Sequence, residues 1–362
     1  MSKAKKFLSA LGALALPLLS IAILLIFNLI LDRTMNRNPS FFDIYVAKSG
    51  VLAGNLISII DSASELAIIA MGMTLVTASC GGQDISVGAV AAISGAVFVK
   101  TLLQWFGFIN GWTLAAAVIL CCVTAILFKL FNGTLVAVFR IQPMIATLIL
   151  YSCGRSIAYW INGDATPQLS SPIISAIGTT IPGIPIPTPV FIVILMGVIM
   201  FLIFKFTNLR LYTQSVGINE GAARLNGINP LVIKLLCFAV LGVCVAVAGV
   251  IGISRMGNLA HQTLLVDIEM DAILAVAIGG NSLGGGKFRM GGTILGAYTI
   301  QTLNTTLNAM IKDSPESIRA IKAAVIILIV VAGSPVVRRL LLTFRNWIVR
   351  QCKAVFGKKE VA

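Results

Sequence analysis

The chain has 362 residues, 58% hydrophobic and 11% charged, with a formal net charge of +14 from 27 Lys and Arg against 13 Asp and Glu. Soluble domains carry about 25% charged residues, so this composition and a mean hydropathy of +0.98 exclude one. It also excludes a nucleic-acid binder, since the basic residues sit in short connectors between apolar runs and form no aromatic-rich basic domain.

The N-terminus, MSKAKKFLSALGALALPLLSIAILLIFNLIL, imitates a secretory signal. Its apolar part, Phe7 to Leu31, exceeds the roughly 7–15 residues of a signal core, and no small-x-small site closes it. It reads as an uncleaved first span, 7–31. Further runs near the roughly 20 residues needed to cross a bilayer follow at 58–79, 85–104, 112–131, 143–162, 189–207, 230–252, 268–280, 290–311 and 319–337. The expected fold class is an all-α polytopic membrane protein of about 10 transmembrane helices. It divides into an N-terminal span and outer connector (1–57), a transmembrane body (58–341) and a basic tail (342–362).

An even number of spans places both termini on one side. Lys3, Lys5 and Lys6 at one end, and Arg338, Arg339, Arg345, Arg350, Lys353, Lys358 and Lys359 at the other, make that side cytoplasmic. Lys129 and Arg140, then Lys205, Arg210, Arg224 and Lys234, then Lys287 and Arg289 mark further cytoplasmic ends. The 163–188 loop falls outside and holds no Lys or Arg. Its Pro residues deny it a long helix, and it is either a connector or a docking surface. Cys80, Cys121, Cys122, Cys153, Cys237, Cys244 and Cys352 show no metal or disulfide spacing and read as small apolar filler.

Residues 80–88, CGGQDISVG, interrupt apolar sequence. Gly81 and Gly82 let the backbone leave a helix, and an acid such as Asp84 is costly near lipid unless it faces protein, water or a partner. Asp84 and Ser86 are placed to cap a helix starting near Val87. The stretch, with Gln83, is either a tight turn with a capped helix or part of a pathway or gate. A second break, Gly279-Gly280-Asn281, follows a short apolar run. Gly95-Ala96 and Gly296-Ala297 lie in the spans after the two breaks. Gly-interrupted segments in corresponding places of two loosely repeated halves point to a transport path.

The nearby GGNSLGGGK is no phosphate loop: Asn281 stands where Gly is required and Phe288 where Ser or Thr is. The connector 208–229 contains a short amphipathic helix candidate, Glu220 to Leu225, with Asn219 as N-cap, Gly227 as stop and Pro230 opening the next span.

Four blocks carry a resemblance. VGINEGAARLNGI (216–228) resembles the coupling segment of ABC importer permeases. GMTLVTASCGGQDISVGAV (72–90) resembles the Gly-Gly-x-Asp-Leu-Ser-Val-Gly signature of their ribose/galactose/xylose-type sugar branch. RIQPMIATLIL (140–150) and DAILAVAIGGNSLGGGKF (271–288) match other recurrent blocks. The likeness covers about 60–340 of the binding-protein-dependent branched-chain amino acid/sugar permease family and is nearest the galactofuranose/galactose-type permeases. Ile85 replaces the usual Leu, and Gly221 interrupts the Glu-Ala-Ala order.

The resemblance implies a non-catalytic translocation subunit in a bacterial inner (plasma) membrane, working by alternating access. Its partners would be an ABC ATPase, usually a fused double one, an extracytoplasmic sugar-binding protein and a second permease chain. This chain would bind no cofactor; ATP and Mg would be used by the ATPase. Asn219, Glu220, Ala222, Arg224 and Gly227 would sit on the motor, although Glu220 and Arg224 also suit an i,i+4 pair. Gly81, Gly82, Gln83, Asp84, Ser86, Gly279, Gly280 and Asn281 would shape the breaks beside the path or gate.

An uncharged sugar needs amides, hydroxyls and aromatic faces, which Gln142, Thr147, Tyr151, Gln301, Asn304 and Thr305 offer. Polar groups also glue helices together, and that reading stays open for all six. Arg155, inside a span, is expected to pair with Asp61 or Glu65. His261 is assigned no role. Rival readings are the same machine carrying branched-chain amino acids or nucleosides, a secondary transporter coupled through Asp84, and a membrane enzyme, for which one His and scattered acids supply no cluster.

Overall fold

An apolar run in a bilayer satisfies its own backbone groups as a helix. The computed structural model, which describes residues 3–35, 40–46, 51–163, 166–169, 171–181, 183–310, 317–318, 320–325 and 327, is mostly helical. In chain order the helices are α1 (Lys3–Met35), α2 (Asn55–Cys80), α3 (Val87–Lys100, continued by a π-helical turn, Thr101–Phe106), α4 (Gly111–Ala137), α5 (Pro143–Ile161) and α6 (Pro172–Gly178). Then come α7 (Thr188–Phe206), α8 (Leu209–Ile218), α9 (Glu220–Leu225), α10 (Pro230–Met256), α11 (Ile268–Ile278) and α12 (Met290–Met310). Between α1 and α2, β1 (Tyr45–Val46) and β2 (Leu52–Ala53) pair antiparallel.

Burial separates inner from outer helices. The second half of α2 is buried on every face, from Ala63 to Ser79, and α3 nearly so. α10 packs against α2, α3 and α4, while α5 lies on α3 and α7 on α2. The outer helices bury a single stripe: α4 hides Ala117, Cys121, Ala125, Lys129 and Asn132 and exposes Ile119, Val123, Leu127 and Phe131. An exposed face of large apolar side chains is the face a lipid-bathed helix presents. α1 is pinned to α12 where Asn28 Nδ2 donates to Thr306 Oγ1 at 2.7 Å.

Among the described residues seven helices are long and apolar enough to cross a membrane: α1 (over Leu14–Thr34), α2, α3 with its π-helical turn, α4, α5, α7 and α10. The span expected at 268–280 is instead α11, of 11 residues. At about 16 Å it is too short for a hydrocarbon core of about 30 Å, because the Gly279-Gly280 pair ends it. The span expected at 290–311 is α12, 21 residues long, whose Thr and amide side chains make it less apolar. The span expected at 319–337 is described only at 320–325 and 327, which are helical, and the tail 342–362 lies outside the described residues. Among the described residues, those up to Thr306 form one compact unit and those from Leu307 onward belong to a second.

Among its described residues the Pro-rich 163–188 loop holds one helix, the seven-residue α6. It is tied to the segment after α10, where Leu169 N–H donates to the Gly257 carbonyl at 2.8 Å and Leu259 N–H to that of Pro167 at 3.1 Å. The six cysteines among the described residues are free, with Cys121, Cys237 and Cys244 buried; Cys352 lies outside them.

Candidate functional site

The first break begins where Gly81, at φ 61°, caps α2 by donating its N–H to the Thr77 carbonyl at 3.1 Å. The chain bends at Gly81 and Gly82 and reaches α3 without regular structure, and the exposed-to-buried switch is abrupt: Asp84 and Ser86 have no exposed surface. Asp84 Oδ1 accepts from the Ser86 N–H at 2.8 Å and hydroxyl at 2.7 Å. Its Oδ2 accepts from Lys129 Nζ at 2.8 Å. Ser86 Oγ in turn accepts from Lys129 Nζ and from Asn132 Nδ2, each at 2.9 Å. A hydroxyl has one donor and two acceptor sites, and all three are used.

Two expectations change here. α3 does start at Val87, but Ser86 occupies its cap position without a side-chain cap bond, because its hydroxyl is committed to the ion-pair network. Asp84 likewise serves Ser86 and Lys129. Lys129, expected to mark a cytoplasmic end, is wholly buried, because α4 runs on to Ala137 and carries it inside the bundle. The break is also tied to α5, where Thr147 Oγ1 accepts from the Ile85 N–H at 3.2 Å, and Gln83 Nε2 reaches the Leu283 carbonyl at 3.4 Å.

At the second break α11 stops at Ile278, and Asn281 folds the following loop onto α12. Its Nδ2 donates to Thr293 Oγ1 at 2.8 Å and its Oδ1 accepts from the Arg289 N–H at 2.6 Å. The hydroxyls of Thr293 and Thr74 lie 2.8 Å apart and link α12 to α2. The two breaks meet backbone to backbone. A Cβ added to Gly81 would lie 2.8 Å from the Gly284 carbonyl oxygen, one added to Gly217 of α8 would overlap the Ala78 carbonyl, and one added to Gly285 would lie 3.1 Å from the Gly217 oxygen. The Gly286 N–H donates to that same Ala78 carbonyl at 3.0 Å. Three segments, 78–81, 217 and 284–286, thus approach at distances that exclude side chains.

α8 leads from this junction to α9. Asn219 caps α9 by accepting from the Ala222 N–H at 3.0 Å, and Gly227, at φ 77°, follows its end. Asn229 Oδ1 accepts from the Leu231 N–H at 3.1 Å and Pro230 opens α10. Glu220 pairs with Arg224 at 3.1 Å, as the spacing predicts, and with Lys234 of α10 at 2.8 Å, which it does not. The hydrogen bond from Lys234, aided by both positive charges, holds the Glu220 carboxyl below the usual carboxylate range. Ala222 is exposed and Ala223 buried beneath it. Leu225 is 91% exposed and Ile218 73%. Leu225 ends α9 and Ile218 ends α8, so each bare apolar side chain sits at a helix terminus of this connector.

The path candidates fall into two groups. On α5, Gln142 sits exposed at the N-cap position, Tyr151 is partly exposed, and buried Thr147 is occupied by Ile85. On α12, Gln301, Asn304 and Thr305 are half-buried, and Asn304 Nδ2 lies 3.4 Å from Gln301 Oε1 and 3.3 Å from Asp271 Oδ2. Gln301 lines a cavity of about 320 Å³ with Glu65, Arg255 and Asp271, while no α5 candidate borders it.

Arg155 does not pair with Asp61 or Glu65. Arg255 does, at 3.1 and 3.6 Å. Arg155 Nη1 instead donates to the carbonyls of His261 at 2.8 Å and Leu264 at 3.0 Å: the end of α10 carries Arg255 to the acids of α2, whereas α5 faces the 261–264 loop. His261 is buried against Tyr159, with ring centroids 4.7 Å apart. Among the described residues no three His, Cys, Asp or Glu side chains are grouped to hold a metal ion.

Sequence reasoning missed Asn132, Leu225, Lys234 and Gly217 as site residues. One signal was present: Lys129 and Asn132, three apart, share a helix face in an otherwise apolar run.

Residues 55–330 match the family described as branched-chain amino acid transport system / permease component. Over 296 residues the chain is 36% identical to the galactofuranose transporter permease protein of Escherichia coli K12, covering 82% of this chain and 84% of that relative. It is 35% identical over 301 residues to the fructose import permease protein of Bifidobacterium longum, covering 81% of each. It is 34% identical over 300 residues to the ribose import permease protein of Escherichia coli K12, covering 82% and 88%. No solved structure matches the chain.

Proposed function

The chain belongs to the branched-chain amino acid transport system permease component family, and from that premise we propose that it is the translocation subunit of an ATP-driven, binding-protein-dependent importer of a monosaccharide. It makes and breaks no bonds. Two such chains form the path, an ABC ATPase subunit uses ATP and Mg on the cytoplasmic side, and an extracytoplasmic protein delivers the sugar. The membrane is the bacterial inner membrane. Both termini are cytoplasmic, the side that the Lys and Arg residues at the two ends of the sequence favour. The monosaccharide reading rests on relatives named for galactofuranose, fructose and ribose.

The observation that carries the reading is α9. It lies beside the start of α10, is fastened there by Glu220 to Lys234 and exposes Leu225. A rigid, charged helix with a bare apolar tip suits a groove on an ATPase. Asn219, Glu220, Ala222, Arg224, Leu225 and Gly227 form the contact. Force on α9 passes through α8 to Gly217 and from there to both breaks. An effector shifts an outward–inward equilibrium only through differential affinity for the two states, which an ATPase holding α9 would supply. Gln301, Asn304 and Thr305, beside their cavity, and Gln142, Thr147 and Tyr151 on α5 contribute to the path.

The cargo is tested by reconstituting the chain with its ATPase and binding protein and offering labelled galactose, ribose, fructose and leucine. Leucine is included because the cavity beside Gln301 is charged, which favours a zwitterion. ATP-dependent accumulation of one of the sugars supports the proposal; accumulation of leucine alone overturns it.

A further inference from the structure

At the end of the bundle that carries α8, the helices α1, α7 and α12 border a groove of about 1080 Å³. Leu14, Met200, Phe201 and Ile294 give it apolar walls, and Lys205, Arg210, Lys287 and Arg289 line it as exposed cations. Among the described residues that line it, none is acidic. Phe288 is buried edge-on against Phe204, with centroids 5.1 Å apart, and the Arg210 guanidinium lies 5.8 Å from its ring. That packing fixes Arg210 at the rim. From Lys205 back to Gly197, α7 descends about 12 Å along its axis, so the groove runs from the charged end down into a membrane span.

We propose that this groove binds one anionic phospholipid, its phosphate among Lys205, Arg210 and Lys287 and an acyl chain along Met200 and Phe201. Basic pockets between membrane helices suit acidic headgroups. A free phosphate would have no use for the apolar slot, and a soluble partner would not reach Gly197 inside the span. The inference is independent of the importer reading, since its readout is lipid retention and not transport.

Native mass spectrometry of the full chain, purified in a zwitterionic detergent and titrated with phosphatidylglycerol or phosphatidylethanolamine, tests it. The expected result is one retained phosphatidylglycerol per chain, preferred at least tenfold. K205Q/R210Q/K287Q lowers that retention at least tenfold, whereas K353Q/K358Q/K359Q, which removes as much charge from the tail, leaves it unchanged. Gly197 has no atom within 4 Å of an added Cβ, so Gly197→Leu fills the slot without altering charge and also weakens retention, which keeps the test valid if the triple variant fails to fold. Retention unaffected by Gly197→Leu, equal losses in the two triple variants, or displacement by millimolar inorganic phosphate or by the assembled ATPase would each overturn the proposal.

Discussion

Lys129 Nζ lies 2.8 Å from Asp84 Oδ2, and neither side chain has any exposed surface. The pair joins the first break to the middle of α4 and leaves no net charge in the bundle from these two residues. This argues against Asp84 as the ion-coupling acid of a self-sufficient transporter. Removing one partner of such a pair leaves a buried charge and costs about 3–5 kcal/mol, while replacing both is far milder. Lys129→Met is therefore expected to destabilise the detergent-purified chain by about that amount, and Asp84→Asn/Lys129→Met to recover most of it. Thermal unfolding of the singles and the double checks this; strictly additive losses would contradict it.

The part of the site that was legible in the sequence is the part built from local rules. α9 appears at Glu220–Leu225 with Asn219 as its cap, because a cap, a stop and an i,i+4 pair are all written within ten residues. The glycine breaks were legible for the same reason. The Asp84–Lys129 pair was not, since it joins residues 45 apart and needs α4 to continue past 131. There Gly133 lies inside the helix, where an added Cβ would come within 3.1 Å of the Phe238 ring. The exchange of partners between Arg155 and Arg255 depends on which helix end faces α2, and spacing along one chain does not encode that.

Gly217 sits where a single added methyl group meets backbone. An added Cβ overlaps the Ala78 carbonyl, so Gly217→Ala must push α8 away from the first break. It is expected to cut ATP-driven uptake more than tenfold, whereas Gly197→Ala, in open space, leaves uptake within about twofold. Uptake in reconstituted vesicles, normalised to inserted protein, compares the two; equal uptake would remove the junction from the mechanism.

The fastening of α9 carries a pH dependence with a definite sign. The Glu220 carboxyl is lowered in the folded chain, chiefly by Lys234. Its contribution is complete above the ordinary carboxylate value of about 4.3 and is lost as pH falls through the lower folded-state value. Hydrogen exchange of residues 220–228, corrected for intrinsic rates, should stay flat from about pH 8 to 5 and rise only below about pH 4. Glu220→Gln should raise it across the range. A rise beginning near neutral pH would assign the fastening to another group.

The most direct test of the central claim, that a partner ATPase drives this chain through α9, is sugar uptake into proteoliposomes with and without the ATPase, the binding protein and ATP. Wild-type chain is compared with Leu225→Asp, which puts a charge on the bare apolar tip, and with Glu220→Lys, which reverses the fastening. Uptake is expected only when every component is present, with loss of at least tenfold in both variants. Uptake by the chain alone, or full uptake in Leu225→Asp, would contradict it.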